Sequence, residues 1–285
     1  MRTLIEALDQ RCLLADGSLA RQIDLKALDL TRDLFGAADC IEVLNITRAD
    51  LVGDIHRAYL AAGADIIRTN TLGAGALSLT PLGLGEEAFY LNYAAAEIAC
   101  EAVDSVPGRG RRRFVLGVVR DQGWEATPLE VARAVEQQVQ GLLAGGADGV
   151  VLDILPKAGR APLFLNGAKK ARDGLSSRAP IFLQNSPGAT AFSPRSLQEA
   201  DGLITQRHGT ADRSDWLRDC VLQQQVNLIG GGASPQETEK LDRMLRSLAE
   251  DGPRPRTAWQ RSLPIDEVTP PSSLVQRSAS LQLAE

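Results

Sequence analysis

The chain alternates between short apolar runs and longer segments in which apolar residues recur every three or four positions. The short runs are apolar at consecutive positions, which is typical of parallel strands that are covered on both faces. We therefore predict strands at residues 12–16, 65–71, 114–119, 149–155, 180–185 and 226–231, with a weaker strand at 202–207.

Four of the longer segments are predicted to be helices, at residues 48–63, 86–103, 127–146 and 234–250. Thr127, Pro128 and Glu130 have the spacing of a capping box with proline at the first helical position. Ser234, Pro235 and Glu237 repeat this signature at the start of the last helix.

The alternation of strands and helices predicts an α/β fold with a parallel sheet. Two closures fit this pattern: an open, doubly wound sheet and a TIM-type (β/α) barrel. Related Ala-Gly-Ala-Asp and Gly-Gly-Ala-Asp turns lead into the second and fourth strands, and this repetition favours the barrel. No G-x-G-x-x-G follows the first strand, which disfavours a dinucleotide-binding sheet.

The composition changes near residue 251, where Pro, Ser and charged residues replace the alternating pattern. We predict a barrel domain at residues 1–250 and a tail at 251–285. The alternative for the second segment is a docking segment anchored by Trp259 and by the apolar residues near its end.

Composition and charge argue against several classes of function. The 285 residues have a net charge of −5, with 31 basic and 36 acidic residues well mixed, so nucleic acid is not an expected partner. The one basic cluster, Arg109 with Arg111–Arg113, is interpreted as a solvated loop before a strand. Neither a signal-peptide core nor an apolar run of membrane-spanning length is found. Four scattered cysteines without a CxxC pair fit a reducing cytoplasm, where we expect the protein.

Ligands of parallel barrels bind at the carboxyl ends of the strands, so the residues at those ends are candidates for a site. They are Asp16, Gly17, Arg68, Thr69, Asn70, Thr71, Arg120, Asp121, Asp153, Gln184, Asn185 and Gly230–Gly232.

Several stretches of the chain resemble the homocysteine S-methyltransferase family. The residues LLADGSLARQ (13–22) and CIEVLNITRADLVGDIHRAYLAAGADIIRTNTLGA (40–74) resemble the opening of that family, with its D-G, E-x-L-N and G-A-D-I-I-E-T-N-T-F. The stretches GADGVVLDILP (146–156) and DWLRDCVLQQQVNLIGGGASPQETEKL (215–241) are similar to later family motifs. The resemblance implies a methyltransferase-like TIM barrel of one-carbon metabolism and methionine biosynthesis.

The chemistry of that family needs zinc, which three cysteine thiolates hold and to which the homocysteine sulfur binds. Two of the cysteines belong to a G-G-C-C turn after the last strand, and Gly232 and Ala233 stand in their place here. The third follows an Asn on the sixth strand, and no Asn-Cys is present. Only 40 residues separate the runs at 180–185 and 226–231, so one β-α unit is also expected to be missing. We expect neither a metal nor another cofactor.

The resemblance also implies a ligand site. The residues that match it are Asp16, Gly17, Arg68, Thr69, Asn70 and Asp153. Arg68 departs from the pattern because the family has Glu there, and Asp153 stands where the family has a Glu near the substrate amino group. A salt bridge from Arg68 to Asp16 or Asp153 is an alternative to a ligand contact, and a turn-capping role is an alternative for Asp16 and Asn70.

Three functions fit these residues. The first is a divergent, zinc-free relative that binds a homocysteine-like thiol or amino acid and, if active, methylates a thiol. The second is a non-catalytic scaffold that partners a methyltransferase or a corrinoid protein, with a homo-oligomer also left open. The third is an anion or phosphate site built by Gly230, Gly231, Gly232 and Ser234 at a helix N-terminus.

Overall fold

The structure is a computed structural model that describes residues 3–107, 110–122, 125–155, 159–185, 193–205, 228–230 and 232–250. The predictions for Gly231 and residues 251–285 lie outside the described residues.

Parallel strands alternate with helices through the described residues. The strands are β1 (Leu13–Leu14), β2 (Ile66–Arg68), β3 (Phe114–Arg120), β4 (Gly149–Ile154), β5 (Ile181–Asn185), β6 (Gly202–Thr205) and β7 (Leu228–Ile229). The helices are α1 (Leu4–Gln10), α2 (Leu19–Asp24), α3 (Leu44–Thr47), α4 (Ala49–Ala61), α5 (Ala76–Leu79), α6 (Ala88–Ser105), α7 (Pro128–Ala144), α8 (Arg160–Gly174), α9 (Pro194–Glu199) and α10 (Pro235–Glu250). Single 3₁₀ turns lie at Ile41–Val43, Thr80–Leu82 and Gly85–Glu87.

The strands follow the spatial order β7-β1-β2-β3-β4-β5-β6, and every pairing is parallel. The β1 and β2 strands are joined by one bridge, between Ala15 and Ile66. This order, with helices between consecutive strands, is that of a TIM-type barrel and confirms the predicted fold class. The expected loss of a β-α unit concerns residues 206–227, which lie outside the described part of the chain, and it stays a prediction.

Two layers of apolar side chains build the core. Inside the strands, Leu13, Ile66, Leu116, Val151 and Phe182 pack together, and Leu4 and Leu8 of α1 close the amino end of this interior. Outside the strands, the helices pack on the opposite face of the sheet, with α10 covering Leu14 and Ile229. Charged side chains can therefore enter the barrel interior only above this apolar layer, at the carboxyl ends of the strands.

One turn repeats before each even-numbered strand, in the residue pairs Ala64-Asp65, Ala147-Asp148 and Ala200-Asp201. Each aspartate accepts the backbone N–H of the preceding strand, at Leu14, Val115 and Ile181 respectively, over 2.9 to 3.1 Å. Each also donates its own N–H to the carbonyl of that same residue. The repeated Ala-Asp turn thus fixes the register of one strand against the next.

The basic cluster before β3 lies at the amino ends of the strands and is paired within the protein. Arg111 bridges Asp65 and Asp242, and Arg112 pairs with Asp148 at 2.9 Å. Arg113 is buried and donates to the carbonyls of Val106 and Leu60. Residues 111–113 form a loop before β3, as interpreted, but their charges are paired within the protein and Arg113 is buried.

The four predicted helices correspond to α4, α6, α7 and α10, with ends that differ by one or two residues. The capping box of Thr127 and Glu130 is confirmed, since each side chain accepts the backbone N–H of the other. The other helices, α1, α2, α3, α5, α8 and α9, were not predicted. No helix in the described residues is both long enough and apolar enough to cross a bilayer.

Candidate functional site

The barrel mouth is the space above the apolar interior, at the carboxyl ends of the strands. Side chains along a strand point alternately inward and outward, and this alternation decides which polar residues face the mouth. Ile66, Leu116, Val151 and Phe182 point inward, so side chains two or four positions further along the same strands point inward as well. Those positions hold Arg68 on β2, Arg120 on β3, Asp153 on β4 and Gln184 on β5. The barrel therefore ends in a layer of charged and amide groups.

The first part of this layer joins Asp16 to Arg68. Asp16 is buried, its Oδ1 accepts Nε of Arg68 at 2.8 Å, and its Oδ2 accepts the backbone N–H of Arg68 at 3.0 Å. Nη2 of Arg68 donates to the carbonyls of Asp16 and Gly17 at 3.0 and 3.2 Å. Burial raises the pKa of Asp16 above its ordinary value, and the Arg68 guanidinium acts in the opposite direction. Of the two predicted partners of Arg68, the structure places Asp16 against it.

Gly17 lies where the ends of β1 and β7 meet. A Cβ at this position would overlap the carbonyl oxygen of Gly232 and lie 2.8 Å from the hydroxyl of Tyr59. That hydroxyl donates to the carbonyl of Ser18, and burial together with the charge of Asp16 raises the pKa of Tyr59 to about 12. Only glycine fits Gly17, because the nearest obstacle is backbone.

The second part of the layer is a row across β3, β4 and β5. Arg120 is the register partner of Asp153, and Asp153 is the register partner of Gln184. Nε of Arg120 donates to Oδ2 of Asp153 at 2.7 Å. Asp153 therefore pairs with Arg120. The alternative of a salt bridge between Arg68 and Asp153, which the sequence left open, is not what the structure shows. The side chains of Asp121 and Arg160 form a further buried pair behind this row.

Glu42 reaches the same region from the connection after β1. Its Oε1 accepts the backbone N–H of Gly73 at 2.6 Å, and the charge of Arg120 acts on it. Burial raises the pKa of Glu42. Burial and the nearby charge of Glu42 together raise the pKa of the Cys40 thiol to about 11. A thiol with such a pKa stays protonated near neutral pH.

Two predicted site residues have hydrogen-bond partners within the protein. Oγ1 of Thr69 bonds to Oγ1 of Thr71 at 2.6 Å and accepts the N–H of Val118. Nδ2 of Asn70 donates to the carbonyl of Ile41 and to Oδ1 of Asn45. These contacts join β2 to β3 and to the connection after β1. The predicted ligand contacts of Thr69 and Asn70 stay predictions.

The turn after β7 is capped by its own helix. Ser234 Oγ accepts the N–H of Glu237, and Oε2 of Glu237 accepts the N–H of Ala233 at 2.8 Å. Glu237 also occupies the place that a Cβ on Gly232 would take. An anion at this turn would therefore meet a carboxylate and N–H groups that already have partners. The anion site remains a prediction, and this geometry counts against it.

Arg120 and Gln184 were among the strand-end candidates of the sequence without a position in the inward layer, and Glu42 was not a candidate. The alternation of the apolar residues in β3 and β5 is a signal that could have placed Arg120 and Gln184. No local signal places Glu42, because its position depends on the path of the connection after β1. Within the described residues, no three His, Cys, Asp or Glu side chains are grouped so that they could hold a metal ion.

Comparison with known protein families decides the affiliation. A family model described as homocysteine S-methyltransferase matches residues 13–191. The chain belongs to the homocysteine S-methyltransferase family. The chain is similar in sequence to the methionine synthases of Mycobacterium tuberculosis (strain ATCC 25618 / H37Rv) and Mycobacterium leprae (strain TN). Each is 31% identical to it, over 186 and 187 residues respectively, which is 63% of this chain and 15% of the length of the relative.

A solved structure supports the fold of this family member. The metallated form of the homocysteine methyltransferase MmuM from Escherichia coli superposes with a TM-score of 0.60 at 18% sequence identity. The superposition covers 82% of this chain and 96% of that protein. The region matched by the family model includes Asp16, Arg68 and Asp153 but ends before the turn at Gly232.

Proposed function

We propose that this family member binds a small thiol or amino acid of the homocysteine type at the barrel mouth and does so without zinc. The observation that supports the ligand site is the inward layer of Arg68, Arg120, Asp153 and Gln184 above an apolar interior. A few convergent charged groups above an apolar floor are typical of small-molecule sites.

The proposal that zinc is not used rests on the side chains that the chain offers. The side chains of Gly232 and Ala233 have no atom that can bind a metal ion. The side chain of Glu237 fills the space that a longer side chain at position 232 would need. The sixth strand, Gly202–Thr205, holds no cysteine, and neither do the five residues that follow it in the sequence. These residues do not fit the three-thiolate site that the resemblance implies, so we assign no reaction step to a metal.

Without zinc, the guanidinium groups of Arg68 and Arg120 are the available means of favouring a ligand thiolate. A nearby positive charge lowers the pKa of a thiol, but less than direct metal ligation does. We therefore place ligand binding first in this proposal, with methyl transfer to a thiol acceptor as its second step.

Titration calorimetry on the full chain with L-homocysteine and with 4-mercaptobutyrate tests the binding site. We expect at least one of the two to bind with a stoichiometry near one. Arg120→Ala should weaken that binding by about tenfold or more, since a charge-assisted hydrogen bond to the ligand carboxylate is lost.

Arg112→Ala is the matched control for this test. Arg112 lies just before the amino end of β3 and pairs with Asp148, whereas Arg120 ends the same strand and pairs with Asp153. The control variant should bind like the unmodified chain. The proposal is contradicted if neither compound binds, or if both variants weaken binding equally.

A second candidate function, docking to a methyltransferase or corrinoid protein, has one observation in its favour. Leu25, Leu30, Phe35 and Ile46 are all exposed on the connection between β1 and α4, and exposed apolar residues that form a contiguous patch often mark protein interfaces. Sedimentation of the chain with a purified corrinoid-binding protein tests this function. A complex that Phe35→Ser weakens favours it, and separate sedimentation counts against it.

A further inference from the structure

Arg68 gives Asp16 a complete set of partners from within the protein. Both carboxylate oxygens of Asp16 accept hydrogen bonds from Arg68, and two carbonyls beside it accept Nη2 of the same guanidinium. Asp16 is also closed off by Gly17, which is packed against the Gly232 carbonyl and the Tyr59 hydroxyl. A ligand ammonium group could reach Asp16 only by displacing Arg68.

Displacement of Arg68 is unfavourable. The side chain of Asp16 is 1% exposed, and breaking a buried charge pair leaves the remaining charge without compensation. An ammonium group would replace a planar guanidinium that bonds to three oxygen-bearing groups at once, and it would have to fit the same confined space. The planar fork of arginine is better suited to such a site than a single ammonium.

The two ion pairs of the mouth are oriented alike. The side chain of Arg68 is 32% exposed above its buried partner, and the side chain of Arg120 is 44% exposed above Asp153, which is 6% exposed. Within the described residues, Nη1 of Arg68 has no hydrogen-bond partner. A ligand that enters the mouth therefore meets guanidinium N–H groups, while the carboxylates lie beneath them.

We propose that Arg68 on Asp16 and Arg120 on Asp153 keep a ligand ammonium group from both carboxylates of the mouth, so that the site selects a small thiol with a carboxylate and no α-amino group over the corresponding amino acid. This inference rests on the proposed function and narrows its ligand class. Arg68 acts as the residue that determines specificity, and the guanidinium groups bind the anionic end of the ligand.

The two probes 4-mercaptobutyrate and L-homocysteine differ only in the α-amino group, so their affinities compare the two classes directly. We expect the unmodified chain to bind 4-mercaptobutyrate more tightly by about tenfold or more. Arg68→Ala should reverse the order, because it frees Asp16 for the ammonium group of L-homocysteine. Arg112→Ala, which removes an arginine of equal exposure from the opposite end of the barrel, should keep the original order.

Equal or tighter binding of L-homocysteine by the unmodified chain overturns the inference, and so does an unchanged order in Arg68→Ala. Arg68→Gln, which keeps one hydrogen-bond donor, replaces the alanine variant if that variant does not fold. These outcomes differ from failure of the proposed function, which would show as no binding of either probe.

A second measurement tests, without any thiol ligand, whether Arg68 keeps an ammonium group from Asp16. Methylammonium chloride should raise the melting temperature of Arg68→Ala more than sodium chloride does at the same concentration, because methylammonium can pair with Asp16. The unmodified chain, in which Arg68 covers Asp16, should respond equally to the two salts. Equal responses of Arg68→Ala to both salts would show that Asp16 does not accept an ammonium group, which contradicts the inference.

Discussion

At the scale of single residues, contacts that no sequence pattern announces decide the properties of the mouth. The sequence identified Asp16, Gly17, Arg68 and Asp153 through a resemblance, but it could not say which carboxylate pairs with Arg68. The answer depends on the stagger of neighbouring strands, which brings the backbone N–H of Arg68 to Asp16. Local residue order could not have predicted that pairing.

Gly17 gives the first prediction at this scale. Gly17→Ala should destabilise the fold by about 1–3 kcal/mol, because the added methyl group would overlap the backbone of Gly232, which no side-chain rotation can relieve. Urea denaturation measures the loss. Gly174→Ala is the control, since a Cβ there meets no atom within 4 Å, and it should leave stability unchanged or raise it. Equal stability of the two variants would show that the ends of β1 and β7 are not in contact.

His56 gives a prediction about pH. It is fully buried on α4, neither ring nitrogen has a hydrogen-bond partner within the described residues, and burial together with Arg57 lowers its pKa to about 3. Below the ordinary pKa of 6.5 the unfolded chain therefore binds a proton that the folded chain does not. Stability due to this residue is present above pH 6.5 and is lost as the pH falls toward 3.

His56→Leu removes that dependence. Between pH 6 and pH 4, the unmodified chain should lose about 1.4 kcal/mol per pH unit relative to the variant. Near neutral pH the variant should be as stable or more stable, because a buried group without partners is replaced by an apolar one. Denaturation curves at several pH values measure the difference. Parallel pH dependence in the two proteins would contradict a buried, neutral His56.

At the scale of elements, sequence patterns predicted what depends on short-range order. The capping box at Thr127 and the apolar strands were predictable, since each depends on residues within a few positions. The helix α8 was missed because its face toward the sheet is built largely from Ala and Gly (Ala161, Gly167, Ala168 and Ala171), which give a weak apolar stripe. The helix α1 was missed because it covers the end of the barrel interior, a role that depends on the closed fold.

The repeated Ala-Asp turn gives the prediction at this scale. Asp148→Ala should cost about 1–3 kcal/mol, because the N–H of Val115 and the guanidinium of Arg112 both lose an acceptor. Asp173→Ala is the control, since among the described residues its carboxylate pairs with Arg172 alone, at 71% exposure, and exposed pairs contribute little. Melting temperatures compare the two variants. Equal temperatures would mean that the turn does not hold β3 against β4.

At the scale of the whole molecule, the alternation of strands and helices predicted the barrel, because the sequence contains the period of each element. The function of the mouth could not be read in the same way. It depends on the sum of Arg68, Arg120 and their buried partners, and on a turn at Gly232 from which thiolate ligands are absent. The proposal of a zinc-independent site follows from this whole arrangement and not from one motif.

The most direct test of zinc independence is a calorimetric titration of 4-mercaptobutyrate into the full chain, carried out once with EDTA and once with one equivalent of zinc. A zinc-independent site predicts the same affinity and a stoichiometry near one under both conditions. Binding that disappears with EDTA and returns with one equivalent of zinc would contradict it.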